Sequence, residues 1–116
     1  MASGDLTPFN EWGDDVGEKI HNIETDEFKA ALIKSAANGG IDPTAATPDP
    51  RWGAGGTTNL LSSEVTPGGN YTTGGIAIGA SWDRTVNVQN FNASVNPSWA
   101  VLAGNPTNAR WAIVYN

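Results

Sequence analysis

From Thr58 onward the chain never runs far without meeting a turn. Short runs, "TNLLSSEV", "YTTGGIAIGASW", "TVNVQNFN", "SWAVLAG" and "RWAIVY", alternate with clusters such as "TPGGN" and "NPTN". Turn signals about every ten residues leave no room for ordinary helices and suit the short strands of a sandwich or jelly roll. Pro67-Gly68-Gly69-Asn70 reads as a hairpin turn, because proline presets one dihedral and glycine supplies a positive one. Gly74, Gly75 and Gly79 inside a strand-like run predict a bulge or a close backbone approach. With 14 Gly and 7 Pro in 116 residues and only 16% charged residues, the composition fits one turn-rich domain with a modest core.

The first 57 residues read differently. Residues 7–20 carry a helical signature: Thr7 as N-cap, Pro8 at the first helical position, then Phe9, Trp12, Val16 and Ile20 at spacings of three and four. Glu11, Asp14 and Asp15 near the start suit the helix dipole, whereas Gly13 and Gly17 shorten the helix and make it depend on docking, as a clip laid across a sheet. In "DEFKAALIKSAANGG" Ala and Lys favour helix, but Phe28, Ala30 and Leu32 alternate with Lys29, Ala31 and Ile33 as in a strand buried on both faces. Both remain open from the residues alone. Residues 41–57, "IDPTAATPDPRWGAGGT", form a long Pro/Gly-rich loop. Loops of that length are usually functional or disordered, and Trp52 within it must cover some surface, expected to be a neighbouring chain.

Charge and motifs exclude several classes. A net charge of −6, with six Lys and Arg in all, offers no basic stripe for nucleic acid. Without cysteine there is neither a disulfide framework nor a thiolate metal site. The start, "MASGDLTPFNEW", lacks the basic and apolar regions of a secretory signal, and no run approaches the ~18 apolar residues of a membrane span, so a soluble chain is expected. His21 is the only histidine and stands beside no nucleophile, which points to a structural or solvent role rather than catalysis. The acids at Asp14-Asp15 and at Glu24, Asp26 and Glu27 read as helix-dipole partners or solvated charge rather than a catalytic pair. Asp42 and Asp49 are only weak calcium candidates, because the ligand spacing of a helix-loop-helix site is missing. "NYT" (70–72) and "NAS" (92–94) match the glycosylation sequon by chance, and the glycine runs lack the lysine of a phosphate loop. Neither enzymatic activity nor a cofactor is expected.

Five tryptophans in 116 residues call for a reason. Trp12, Trp82, Trp99 and Trp111 lie in helical or strand-like patterns and read as core and subunit-contact residues, in preference to a sugar-stacking platform. The expected core is Phe9, Trp12, Phe28, Leu32, Ile76, Ile78, Trp82, Val86, Val88, Val101, Ile113 and Tyr115. The run "NPTNARWAIVYN" enters a strand through turn formers and alternates Trp111, Ile113 and Tyr115 with Ala112 and Val114. An exposed edge invites another chain, so this strand is expected to stay unpaired within one copy and to be closed by a neighbour. Arg51, Trp52, Arg110, Trp111 and Tyr115 are the candidate protein-interface residues.

Taken together, "FNEWGDDVGEKIHNIETDEFKAALIKSAA", the Gly-rich "GGNYTTGG" and "NARWAIVYN" resemble a family of small tailed-bacteriophage virion proteins. The resemblance covers most of the chain, but its motifs are structural and mark no active site. It implies a strand for residues 28–34 and a β-rich accessory virion protein, a capsid decoration or cement protein made in the host bacterial cytoplasm and carried on the capsid surface. Relatives continue past the last strand with a further hairpin or two, which this chain lacks. The expected fold is a single mainly β domain, an antiparallel β-sandwich or jelly-roll-like body of six or seven short strands. It comprises an N-terminal helix (7–20), a long loop (41–57) and a strand-rich part (58–116). The expected partners are the major capsid protein lattice and other copies of the chain, a trimer being favoured by threefold lattice positions. Host-glycan binding in a fibre or spike, or a tail adaptor role, are the alternatives.

Overall fold

The computed structural model describes residues 6–116; the reading of the first five residues as free of a secretory signal lies outside them. A short helix α1 (Trp12–Gly17) precedes seven strands: β1 (Lys29–Lys34), β2 (Pro50–Arg51), β3 (Thr58–Asn59), β4 (Ile76–Ala77), β5 (Ala80–Thr85), β6 (Val88–Ala93) and β7 (Ala109–Tyr115). One-turn 3-10 helices lie at Ala36–Asn38 and Leu60–Ser63. The fold is mainly β with a short N-terminal helix. An antiparallel sheet has the order β4-β1-β7, β5 and β6 form an antiparallel hairpin, and β2 and β3 share a two-residue parallel pairing. None of these sheets closes into a barrel among the described residues.

The ambiguous "KAALIK" is the central strand, because only there can both of its faces be buried. On one face Ala31 and Ile33 stand opposite Ile113 and Trp111, and Ile33, Ile113 and Leu60 form a core beneath Phe9, Ile41 and Trp52. On the other face Ala30 joins Ile23, Phe28 and Ile78, covered by Trp12, Ala80, Phe91 and Val114. The helix propensity of Ala and Lys, a few tenths of a kcal/mol per residue, loses to this burial.

β1 finds backbone partners on both sides by unequal means. β7 pairs with it from Lys29↔Tyr115 to Lys34↔Ala109, with a bulge after Ile33. The terminal strand is therefore not unpaired within one copy; β1 holds its inner edge along its whole length. On the opposite side β4 reaches only Lys29 and Ala30. Beyond it, the Val65 N–H donates to the Leu32 carbonyl at 3.0 Å, and the Leu32 N–H donates to the Tyr71 hydroxyl at 3.0 Å. A buried side chain thus stands in for a missing strand. Gly75, at a positive φ of 71°, passes so close to the Ala30 carbonyl that a Cβ would collide with it, which is the close approach expected of the paired glycines.

Several expectations are corrected. The helix spans Trp12–Gly17 rather than 7–20, and Glu11 rather than Thr7 takes the N-cap position, without a side-chain cap bond. The Asn10 N–H donates to the Ala45 carbonyl at 2.8 Å, tying the preceding segment to the long loop instead of a helical turn. The helix ends where Lys19 turns to a positive φ of 63° and the Ile20 N–H closes on the Asp15 carbonyl. Within 41–57, Pro50–Arg51 is a strand rather than irregular loop. In the strand-rich part, "TNLLSSEV" is mostly a 3-10 turn and "SWAVLAG" has no strand, since no partner strand lies beside it. The hairpin turn sits one residue later than expected: Gly68 and Tyr71 exchange both backbone bonds, and Gly69 takes the positive φ. Of the expected core, Phe28, Ile78 and Ile113 are buried and Phe9, Trp12, Leu32, Ile76 and Tyr115 half-buried, but Trp82, Val86, Val88 and Val101 are exposed. Ile23, Ala30, Ala31, Ile33, Leu60, Val65 and Tyr71 are buried instead.

Candidate functional site

The outer edge of β7 is where the elements converge. Phe9 packs on the Ile33/Ile113 face of the sheet and Trp12 on the Ala30/Val114 face, so the N-terminal segment passes around the β7 edge as a strap. The helical clip expected to lie across a sheet is instead a mostly non-helical strap around the sheet's edge. Between strap, long loop and strand lies a cleft of about 860 Å³. Its lining takes in every residue from Trp111 to Asn116, together with Trp12 and Phe91 from one face of the sheet and Trp52 and Leu60 from the other. Lining by successive strand residues and by both faces makes this a groove along the edge, not a pocket on one face.

A chain of polar contacts fastens the groove's rim. Arg51 reaches Asp15 of α1 through both terminal nitrogens, at 3.2 and 3.5 Å, and its Nε donates to Asp49 at 2.9 Å. Burial works against the Arg51 charge, but Asp15 and Asp49 outweigh it and hold its pKa above the ordinary value. The Asp49 N–H donates to Glu11, closing the link between loop and helix at 3.3 Å. His21 Nε2 lies 3.4 Å from Asp15, its ring stacks on Trp12 with centroids 5.1 Å apart, and its buried Nδ1 has no hydrogen-bond partner. The partly exposed Arg51 ion pairs are worth about 0–1 kcal/mol each; their effect is to orient the strap. Asp42 and Asp49, the calcium candidates, are used otherwise: Asp42 accepts from Trp111 Nε1 at 3.1 Å and Asp49 binds Arg51.

Four of the five interface candidates meet at this groove. Arg51, Trp52, Trp111 and Tyr115 line it, whereas Arg110 does not, its guanidinium lying 5.5 Å from the Trp111 ring centroid. Trp52 covers a surface of its own chain: its ring stacks on Tyr115 at 4.3 Å and 15°. The Tyr115 hydroxyl donates to the Gly74 carbonyl at 2.8 Å, joining the strand's end to the glycine turn. Sequence reasoning missed Trp12, Asp15 and Phe91 as groove residues. Only the spacing of Trp12 hinted at docking, and nothing local placed Phe91 beside it at 6.3 Å.

A second exposed feature is the β5–β6 hairpin. Phe91 anchors its base against Phe28 and Trp12. One face carries Asp83, whose carboxylate accepts from Asn90 and Asn92. The tip leaves Val86 78% exposed and Val88 exposed. Val95, Val101 and Leu102 extend exposed apolar surface beyond it. No helix among the described residues is long and apolar enough to cross a membrane. Comparison of the chain with protein-family models, curated proteins and solved structures returns no match.

Proposed function

We propose that this chain is a non-enzymatic structural component of a tailed-bacteriophage particle, a decoration or cement protein that stabilises the head shell. One observation carries the assembly reading: the single chain leaves too much surface open for its mass. Its accessible surface is 7315 Å², against about 6000 Å² for a compact monomer of 12.1 kDa. Its radius of gyration is 14.6 Å, against roughly 13 Å for its length. Val86 and Val88 of the hairpin and Val95, Val101 and Leu102 after it are exposed, and their burial against other chains would complete the fold. In this reading the sandwich or jelly-roll-like layering expected from the sequence is completed between chains.

The virion assignment rests on the resemblance of "FNEWGDDVGEKIHNIETDEFKAALIKSAA" and "NARWAIVYN" to small phage virion proteins. The partners are then the major capsid protein lattice and further copies of this chain, as a trimer at threefold positions, and the location is the outer capsid surface. Repetition of one contact over a lattice makes modest individual affinity sufficient. The aromatic groove supports a second reading, a fibre or spike component binding host glycans, but one face of Trp52 is already taken by Tyr115. Cryo-EM of the parent particle tests both readings. Density for this chain on the shell is expected, and density at the tail would refute the cement role. Tryptophan quenching by host-surface glycans would favour the second reading.

A further inference from the structure

We infer that the groove along the outer edge of β7 receives an extended peptide segment of a partner chain, which adds to the sheet as a fourth strand. β7 is seven residues long and pairs with β1 on one side only. Among the described residues no backbone group of another segment bonds to its other edge. A row of free N–H and C=O groups specifies an extended partner by geometry, whatever its side chains. At about 3.4 Å per residue the edge measures some 24 Å, and the incoming segment threads between it and the strap. The volume of about 860 Å³ beside it is enclosed on both faces by aromatic rings, Trp12 and Phe91 on one and Trp52 on the other.

The recess decides the kind of occupant. In a second folded copy β7 would lie behind its own strap, so two such edges cannot meet, and two chains of −6 charge repel. A slender, unfolded arm can enter. The inner edge of β7 shows what chemistry suits the strand: β1, "KAALIK", has small and aliphatic residues between two lysines. We therefore assign the groove to an aliphatic segment flanked by basic residues, complementary to the acidic chain. The inference deepens the assembly reading by naming the contacting segment, and contacts between copies then fall to the hairpin rather than β7. Its test does not depend on whether the partner is a shell, so each reading can fail alone.

The probe is the blocked hexapeptide acetyl-KAALIK-amide, titrated into the intact chain and followed by amide and indole NMR shifts with amide hydrogen exchange. Saturable shifts confined to residues 109–116 and to the Trp12 and Trp52 indoles, with slower exchange in β7, are expected. A peptide with proline at the positions of Ala31 and Ile33 lacks two N–H donors and should not bind. Ala112→Lys, at an exposed groove position, sets bulk and a like charge against the basic peptide and should weaken binding at least tenfold with an unchanged melting temperature. Should that variant unfold, the proline peptide on the unaltered chain decides alone. Equal binding of the proline peptide, shifts mapping elsewhere, or no saturation by about 1 mM would overturn the inference. So would the same shifts on raising protein concentration without peptide, which would assign the groove to a second copy.

Discussion

Tyr71 shows how much one side chain can carry in a small core. It is buried, its hydroxyl accepts from the Leu32 N–H at 3.0 Å, and it donates to Glu64 at 2.8 Å. The same Glu64 oxygen accepts from the Gly74 N–H at 2.5 Å, so one carboxylate fixes the glycine turn as well. Burial pushes the Tyr71 pKa up; the Leu32 N–H pulls it down and Glu64 adds to the rise. Tyr115 is raised too, by burial and then by Glu64 and Glu27. Both groups hold their protons more tightly folded than unfolded, where tyrosine ionises near about pH 10. Their contribution is therefore complete below pH ~10 and is lost as pH rises above it. Urea midpoints should be level in this respect from neutral pH to about 9.5 and fall beyond 10. Tyr71→Phe should cost about 1–3 kcal/mol at neutral pH, because a strand N–H and a carboxylate each lose a partner. It should also flatten, without abolishing, the alkaline decline, since Tyr115 still titrates.

Among the elements, the β5–β6 hairpin is the one whose own chemistry conflicts with its shape. Its two-residue tip is Val86-Asn87, and Val86 sits at a positive φ of 57°. A β-branched residue in the left-handed region costs roughly 1–2 kcal/mol, where Asn or Gly is tolerated. Val86→Asn should therefore stabilise the isolated chain by about 1 kcal/mol, read from thermal or urea melts. No change, or a loss, would mean that Val86 already has a compensating contact. If the same substitution weakens binding to the proposed shell, the exposed valine is kept for a partner at the expense of the monomer.

At the scale of the whole molecule, strap, long loop and β7 behave as one unit. Trp52 stacks on Tyr115 and covers Ile33, Leu60 and Ile113, so Trp52→Ala removes part of the core as well as any contact with other chains. We expect a loss of about 2–4 kcal/mol, near the lower end of the large-to-small range because the ring is only half-buried. Ile113→Asp places an unpaired charge in the same core and should prevent folding altogether. Denaturant melts and sedimentation separate the cases: Trp52→Ala gives a folded chain with a lowered midpoint, Ile113→Asp none. An unchanged midpoint for Trp52→Ala would show that the ring serves partners alone.

Periodicity and turn chemistry, read in the sequence, determined the features that depend on neighbours along the chain. The alternation of Trp111, Ile113 and Tyr115 set β7, the glycines at 68 and 69 set a tight turn, and Gly75 marked a close approach. The mainly β character follows from the same spacing of turns. Burial was decided by the tertiary structure, because it depends on what lies across the fold. Val101 and Leu60 look alike as aliphatic residues, yet Leu60 is buried under the long loop while Val101 is 102% exposed. "KAALIK" could have been helix or strand by itself; two flanking edges and two covered faces made it the central strand. Arg51, Trp52, Trp111 and Tyr115 stood out in the sequence as contact residues, but that they share one groove did not. The groove exists because Phe9 and Trp12, three residues apart, dock on opposite faces of one sheet, and only the packed chain brings that edge between them.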